Sequence, residues 1–458
     1  MAVTQTIEKL FRRYLPSPFV IALLLTALTM VLALLFGSYP PGTPPWSGVL
    51  KSWESGLWNR DLLVFAYQMM LILVLGHVLV LSKPMERLIL RITSWVRNGT
   101  SAAVLVAAST MLVSFFNWGL GLIFGAILAR KVGEHAQRNA IPLNYPLIGA
   151  CGYLGLMVWH GGISGSAPIK ASEPGHLKSL LAGVLPEASL GTLPDNIPTA
   201  ASIFSSWNLL LFALVFLAAT ALAYYLGRST GTTSVQLPEY RFAEEGPGQV
   251  SGAERLDRSR LLAAVFALVI FGAFLLQYLP AIRSLNLTPD LLNFFMLGLA
   301  VLLHGSIRNF LRAVESAIGD TAGILIQFPL YFGIMGIMTS SGLIHRISDF
   351  FIAVGTEQSF PIFTFISAGL VNIFVPSGGG QWAVQGPVIL EAALHLQVPL
   401  PKAIMALAYG DQLTNMLQPF WALPLLGITR LKAREILPYS MLFMVLGGCI
   451  YLAGLLLW

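Results

Sequence analysis

GLVNIFVPSGGGQW (Gly369 to Trp382) is an apolar stretch broken in its middle by Pro376, Ser377 and three successive glycines, with Asn372 just before them. Proline removes a backbone donor, and each glycine costs a helix roughly 1 kcal/mol relative to alanine. A regular membrane helix is therefore not expected to run through this stretch. The first half of the chain holds a counterpart, SFFNWGLGLIFG (Ser114 to Gly125), with Asn117 and three glycines in an apolar run. Each is followed by a second interrupted segment: ACGYLGLMVWHGGISGSAP (Ala150 to Pro168) and ALAYGDQLTNMLQPFWALP (Ala406 to Pro424). The spacing matches: Asn117 to Tyr153 is 36 residues and Asn372 to Tyr409 is 37, while Tyr153 to Pro168 and Tyr409 to Pro424 are both 15. Paired interrupted segments in two halves point to the binding site of a secondary transporter.

Composition sets the class. The chain has 458 residues, 56% hydrophobic and only 10% charged, against roughly 25% charged in a soluble domain. Runs of eighteen or more nearly uncharged residues recur, each long enough to span a bilayer. The net charge of +6 fits basic residues on cytoplasmic loops facing anionic lipid, and nucleic acid is not an expected partner. Cys151 and Cys449 both lie in apolar segments, which argues against a disulfide or a metal role. The apolar run 19–36 follows Lys9, Arg12 and Arg13 and has no small-residue cleavage site after it, so it reads as a retained first span.

Basic residues then orient the spans. Loops 83–100, 130–144, 228–260, 305–320 and 428–437 are rich in Lys and Arg, whereas 37–61, 169–202, 280–290, 344–359 and 397–401 are poor in them. Segment 101–129 has basic loops on both sides and 360–396 has weakly basic loops on both sides, so each is expected to leave and return on one face. The expected fold is an all-α polytopic membrane protein, with about nine transmembrane helices and two re-entrant hairpins in two inverted repeats. The first repeat is 1–227 with its hairpin near 101–129. Residues 228–290 form a cytoplasmic loop and linker span, and 291–458 form the second repeat with its hairpin near 360–396. The N-terminus is expected in the cytoplasm and the C-terminus outside.

A solute crossing at mid-membrane needs polar contacts there, and half-helix N-termini supply free amides with partial positive charge. In PSGGGQW (Pro376 to Trp382) the glycines leave amides open, Ser377 adds a hydroxyl, and the helix is expected to restart at Gln381. The expected substrate contacts are Asn117, Gly119, Ser164, Ser166, Asn372, Ser377, Gly378, Gly379, Gly380, Gln381, Asn415 and Gln418. Both hairpins and both broken segments lack Lys and Arg, which suits a single small carboxylate better than a polyanion. Asp411 is the acid most clearly inside a span, and such a residue is functional by default. With Gln412 and Thr414 it is expected to bind the coupling ion, a proton or sodium; no other metal and no cofactor is expected. His77 and His160 read as packed, hydrogen-bonded histidines. Enzyme motifs are absent: GISGS lacks the last glycine of a nucleophile elbow, and Gly378 to Gly380 has no following Lys-Ser/Thr.

The blocks NWGLGLIFGA, YLGLMVWHGGISGSAP, TAGILIQFPLYFGIMGIM, NIFVPSGGGQWAVQGP, AYGDQLTNMLQPFWALP and AERLDRSR resemble the bacterial short-chain fatty acid transporter family, across essentially the whole chain. The resemblance implies an inner-membrane secondary carrier of short monocarboxylates such as butyrate and acetoacetate. Position 411 is Asp where that resemblance leads one to expect Glu, which keeps the acid and changes its geometry. Trp382 and Phe420 are expected to accept the short alkyl tail. Carriage of another small organic anion and ion antiport through Asp411 are the alternatives within transport. A polytopic membrane enzyme is the alternative outside it, and a homo-oligomer is left open.

Overall fold

The computed structural model describes residues 16–182, 185, 190–191, 193–232, 237, 252–283, 288–344, 346, 350 and 355–458. Lys9, Arg12 and Arg13, and much of the loops 228–260 and 344–359, lie outside them. The described residues form helices, with one isolated bridge between Ala182 and Leu185. In chain order the α-helices of six or more residues are α1 (Pro18–Phe36), α2 (Pro45–Leu57), α3 (Arg60–Val80), α4 (Lys83–Thr93), α5 (Gly99–Phe116), α6 (Trp118–Arg138) and α7 (Tyr145–Cys151). Then come α8 (Ser166–Ser172), α9 (His176–Leu181), α10 (Ser206–Ser229), α11 (Arg260–Arg283), α12 (Pro289–His304), α13 (Ile307–Ala317) and α14 (Ala322–Ser340). The last five are α15 (Phe360–Phe374), α16 (Gly378–His395), α17 (Leu400–Thr414), α18 (Pro419–Thr429) and α19 (Ala433–Leu457).

Seven helices among the described residues are long and apolar enough to cross a membrane, counting α2 and α3 as one run, and α12 with α13 makes an eighth. Large apolar side chains stand on the outer surface, Leu261 at 74% and Leu276 at 88% exposure among them. Water would penalise such a surface and lipid does not. The chain is a multi-pass membrane protein.

Both interruptions fold as helical hairpins. Asn117 ends α5 and caps α6, its side chain accepting the Leu120 amide at 2.9 Å. The two arms lie so close that a β-carbon on Gly121 would collide with Ser114, and one on Gly125 would stand 2.7 Å from Thr110. In the second hairpin Gln381 Nε2 donates to the Ala368 carbonyl at 2.9 Å and Gln385 Nε2 to Ser367 Oγ at 2.7 Å, tying α16 back along α15.

The hairpins enter from opposite ends of the bundle. The base of α6 meets the end of α18, where Arg130 Nη1 donates to the Ile428 carbonyl at 3.4 Å. The base of α16 instead adjoins the start of α17, across a four-residue connection. The two broken segments run antiparallel between these ends. Tyr145 Oη donates to the Thr429 carbonyl at 3.0 Å at one end, and the His160 amide donates to Gln412 Oε1 at 2.9 Å midway.

Several stretches read as loops contain helix, α9 within 169–202 among them. Helix α2 occupies part of 37–61 and packs along α14, with Gly56 against Phe332 and Gly336. Helices α4 and α13 lie within the basic stretches 83–100 and 305–320, and α13 turns 119° from α12. Both are short amphipathic segments, which a search for long apolar runs passes over. Helices α3 and α12 run parallel: Asn293 Nδ2 donates to the Gln68 carbonyl at 3.0 Å and His304 Nε2 to that of Val78 at 2.8 Å. The two basic amphipathic helices therefore sit at the same end of the bundle. Helix α6 continues to Arg138, so Arg130, Lys131 and Arg138 belong to a hairpin arm rather than to a loop.

Candidate functional site

Both hairpin tips reach the same turn, Trp159 to Ser166. On the first, the Trp118 amide donates to Ser164 Oγ at 2.9 Å and the Ile163 amide donates to the Phe115 carbonyl at 2.8 Å. On the second, α16 starts at Gly378 instead of Gln381. Ser377 accepts the Gly380 amide at 3.2 Å, and this cap lets the three glycines form the first turn. Absence of a side chain is required at the first of them. A β-carbon at Gly378 would stand 2.7 Å from the Trp159 ring, 2.9 Å from His160 Cε1 and 3.1 Å from Asp411 Oδ2.

Beneath Gly378, His160 Nδ1 is hydrogen-bonded to Asp411 Oδ2. Both residues are 0% exposed. His160 Nε2 accepts the Ala167 amide at 3.0 Å, and Gln412 Oε1 accepts the amides of His160 and Gly161 at 2.9 and 3.0 Å. Tyr409 Oη donates to Asn208 Oδ1 at 2.7 Å, while Asn208 Nδ2 donates to the Gly161 carbonyl at 2.9 Å. The turn is held on three sides by polar side chains that satisfy its own backbone, as a buried non-helical segment requires.

A second cluster continues from the first. Asn372 Nδ2 lies within 2.9 Å of the Asp411 carbonyl and of Thr414 Oγ1, and 2.7 Å from Asn415 Oδ1. Gln418 Nε2 donates to the carbonyls of Asn372 and Ile373 at 3.0 Å each. Tyr153 Oη reaches the carbonyls of Asn415 and Gln418 at 2.8 and 2.9 Å. Asp411 Oδ1, Asn372 Oδ1, Gln412 Nε2 and Asn415 Nδ2 are buried with no hydrogen-bond partner among the described residues. These four are among the buried polar atoms able to take a new ligand. Beside the turn stands an aromatic group: Trp118 lies 6.0 Å from Trp159 and 5.2 Å from Trp421, centroid to centroid.

The sequence-derived residues are thus divided. Asp411, Gln412, Gly378 and His160 meet directly, and Gly379 faces Ser166, whose Oγ lies 4.0 Å from the place of a β-carbon. Asn372, Thr414, Asn415 and Gln418 form the adjoining cluster. Asn117 and Ser377 are helix caps at the two tips, Ser164 braces the first tip, and Gly380 lies one residue beyond the Gly379–Ser166 contact. Gly119 faces Leu292, and Gln381 braces the arms of its hairpin, so neither joins the pair. Phe420 stacks on Phe328 at 3.8 Å, and the Trp382 indole donates to His176 Nε2 at 3.0 Å. His160 is packed and hydrogen-bonded as expected, while Trp159, Trp118 and Asn208 join the turn without a local signal in the sequence. Tyr153 and Tyr409 were already marked by their equal spacing to the following proline.

A family profile described as "Short chain fatty acid transporter" matches residues 1–458. A protein of Escherichia coli K12 named "Putative short-chain fatty acid transporter" is 37% identical over 470 residues, covering 99% of each chain. One of the same name from Haemophilus influenzae is 34% identical over 452 residues, covering 97% of this chain and 96% of that one. Two solved structures also resemble the chain. The Alcanivorax borkumensis YdaH transporter is 15% identical with a TM-score of 0.42, covering 96% of this chain and 98% of its own. Neisseria gonorrhoeae MtrF, from a class titled antimetabolite efflux pumps, is 13% identical with a TM-score of 0.42, covering 99% and 97%.

Proposed function

The chain belongs to the short-chain fatty acid transporter family, and from that premise we propose that it is an ion-coupled secondary carrier of short monocarboxylates, butyrate and acetoacetate among them. It works in a bacterial cytoplasmic membrane, with its N-terminus inside and its C-terminus outside. The observation that carries this reading is the buried His160–Asp411 pair, set where two oppositely directed hairpin tips meet one turn. A carboxylate at such a depth is retained for a charge-handling task. The absence of Lys and Arg from the hairpins near this turn leaves helix-end amides, hydroxyls and amide side chains to receive the substrate's carboxylate. The amides of Gly378 and Gly379 and the hydroxyl of Ser166 are the groups for that task, with Asn372, Asn415 and Gln418 alongside, while the Gly380 amide is held by Ser377. Trp159, Trp118 and Trp421 offer apolar area for a short alkyl chain, replacing Trp382 and Phe420 in that role. Two repeats, 1–227 and 291–458 joined through 228–290, would expose this turn to each side alternately.

The test is uptake of labelled butyrate into proteoliposomes at neutral pH, with protein-free liposomes as the control for diffusion of the undissociated acid. Saturable uptake that acetoacetate competes for and dicarboxylates do not is the expected result. Absence of protein-dependent uptake, or competition by dicarboxylates, overturns it.

A further inference from the structure

At the crossing, Asp411 has an oxygen to spare and His160 has no nitrogen to spare. The Ala167 amide is a donor, so His160 Nε2, which accepts it, carries no proton. The single ring proton is therefore on Nδ1, which donates it to Asp411 Oδ2. An imidazolium would set a second N–H against the Ala167 N–H. His160 is thus held neutral. Asp411 Oδ1, on a residue that is 0% exposed, has no partner among the described residues. The same carboxylate lies against Gly378, the first residue of an 18-residue helix, whose open amides favour one negative charge.

The geometry points to Asp411 Oδ1 as the atom that carries the coupling proton, with His160 as its positioning residue and the first turn of α16 shared between Asp411 and the substrate's carboxylate. This rests on the proposed monocarboxylate transport. One helix terminus in a dry interior does not stabilise two adjacent carboxylates, and like charges there are penalised heavily. The substrate anion therefore enters the turn as Asp411 takes a proton on Oδ1, while Oδ2 keeps its bond from His160 Nδ1. Both leave on the other side, and Asp411 ionises again. One proton moves with one monocarboxylate, and no net charge crosses.

Other titratable groups on the elements packed against Asp411 are engaged or remote. Helix α15 has none, and on α16 Glu391 and His395 lie at least 13 residues from Gly378, about 20 Å along a helix. On α8 Lys170 pairs with Glu173 at the surface. On α17 Lys402 donates to the terminal Trp458 carbonyl. On α19 Arg434 and Glu435 occupy the first turn, Tyr439 is bonded to Asn144, and Cys449 is exposed. The hydroxyls of Tyr153, Tyr409 and Tyr451 are donated to Asn415, Asn208 and Met157.

The experiment uses the full chain in proteoliposomes and compares butyrate exchange at equal pH with net accumulation. Accumulation is driven by a pH gradient at clamped potential, by a potential at equal pH, or by a sodium gradient. The wild type should accumulate butyrate under the pH gradient alone. Asp411→Asn, which resembles the protonated acid, should lose that accumulation to the level of protein-free liposomes while exchange persists at a reduced rate. His160→Gln should retain proton-driven accumulation with a displaced pH profile. Accumulation driven by potential or sodium, or proton-driven accumulation surviving in Asp411→Asn, overturns the assignment. So does its loss in His160→Gln with exchange intact, which would make the imidazole the carrier. The wild-type measurements decide stoichiometry even where a variant does not fold. Wild-type protein that exchanges no butyrate refutes the transport reading itself, whereas exchange without proton-driven accumulation refutes only the proton assignment.

Discussion

The hydroxyl of Tyr153 lies 2.8 Å from the carbonyl oxygen of Asn415 and 2.9 Å from that of Gln418. One side chain of the first broken segment thus covers the carbonyls released where the second leaves its helix. All of these residues are buried. Tyr153→Phe keeps the ring and strips the donor. An unsatisfied buried acceptor costs about 1–3 kcal/mol, so the unfolding midpoint in detergent should fall, and transport should fall with it. An unchanged midpoint would show that the contact does not hold the two segments together.

Glycine is required at position 121 in the first hairpin and dispensable at position 272 on α11. A β-carbon at Gly121 would meet Ser114, whose Cα stands 2.6 Å from it, whereas one at Gly272 on α11 meets nothing within 4 Å. Gly121→Ala should destabilise by about 1–3 kcal/mol through overpacking. Removing the Ser114 side chain as well should not restore it, because the obstacle includes backbone. Gly272→Ala should be neutral or slightly stabilising. Thermal unfolding of the three variants checks this, and equal midpoints for Gly121→Ala and Gly272→Ala would refute the close packing.

At the base of that hairpin Arg130 is 3% exposed and gives Nε to Glu134 Oε1 at 2.7 Å, while Lys131 Nζ reaches Glu134 Oε2 at 2.8 Å. Removing one partner of a buried pair costs about 3–5 kcal/mol, because the other charge stays behind. Glu134→Ala should therefore lower the yield of folded protein and the unfolding midpoint more than Lys131→Ala does. The ranking can be read from size-exclusion profiles and melting curves, and the reverse order would contradict it.

How much of this was legible follows from the range of each signal. The hairpins and broken segments announce themselves locally, because Asn, Pro, Ser and Gly inside apolar runs are costly unless the helix stops there. Charge counting along the loops also places the ends of α3 and α12 together, as their parallel packing does. Helices α4 and α13 were missed because their signal is a short 3.6-residue period among charges, not hydrophobic length. The meeting of His160 with Asp411, 251 residues apart, has no local trace. It depends on which turn the hairpin tips close upon, which only tertiary packing decides. The start of α16 at Gly378 rather than Gln381 has a similar origin: the Ser377 cap and the approach of Trp159 and His160 outweigh the low helix propensity of glycine.

Ser164 and Ser166, two residues apart on one turn, separate bracing from binding. Ser164 Oγ accepts the Trp118 amide at 2.9 Å and so holds the first hairpin tip. Ser166 Oγ instead faces Gly379, 4.0 Å from the place of its missing β-carbon, at the helix start assigned to the substrate's carboxylate. Ser164→Ala should destabilise the protein by about 1–3 kcal/mol, for the amide left without an acceptor, and so lower the unfolding midpoint. Ser166→Ala should leave the midpoint near that of the wild type and raise the KM for butyrate, the signature of a lost binding contact. Measuring both quantities on both variants distinguishes the roles. A raised KM with Ser164→Ala and a lowered midpoint with Ser166→Ala would exchange them, and would move the carboxylate from the second hairpin tip to the first.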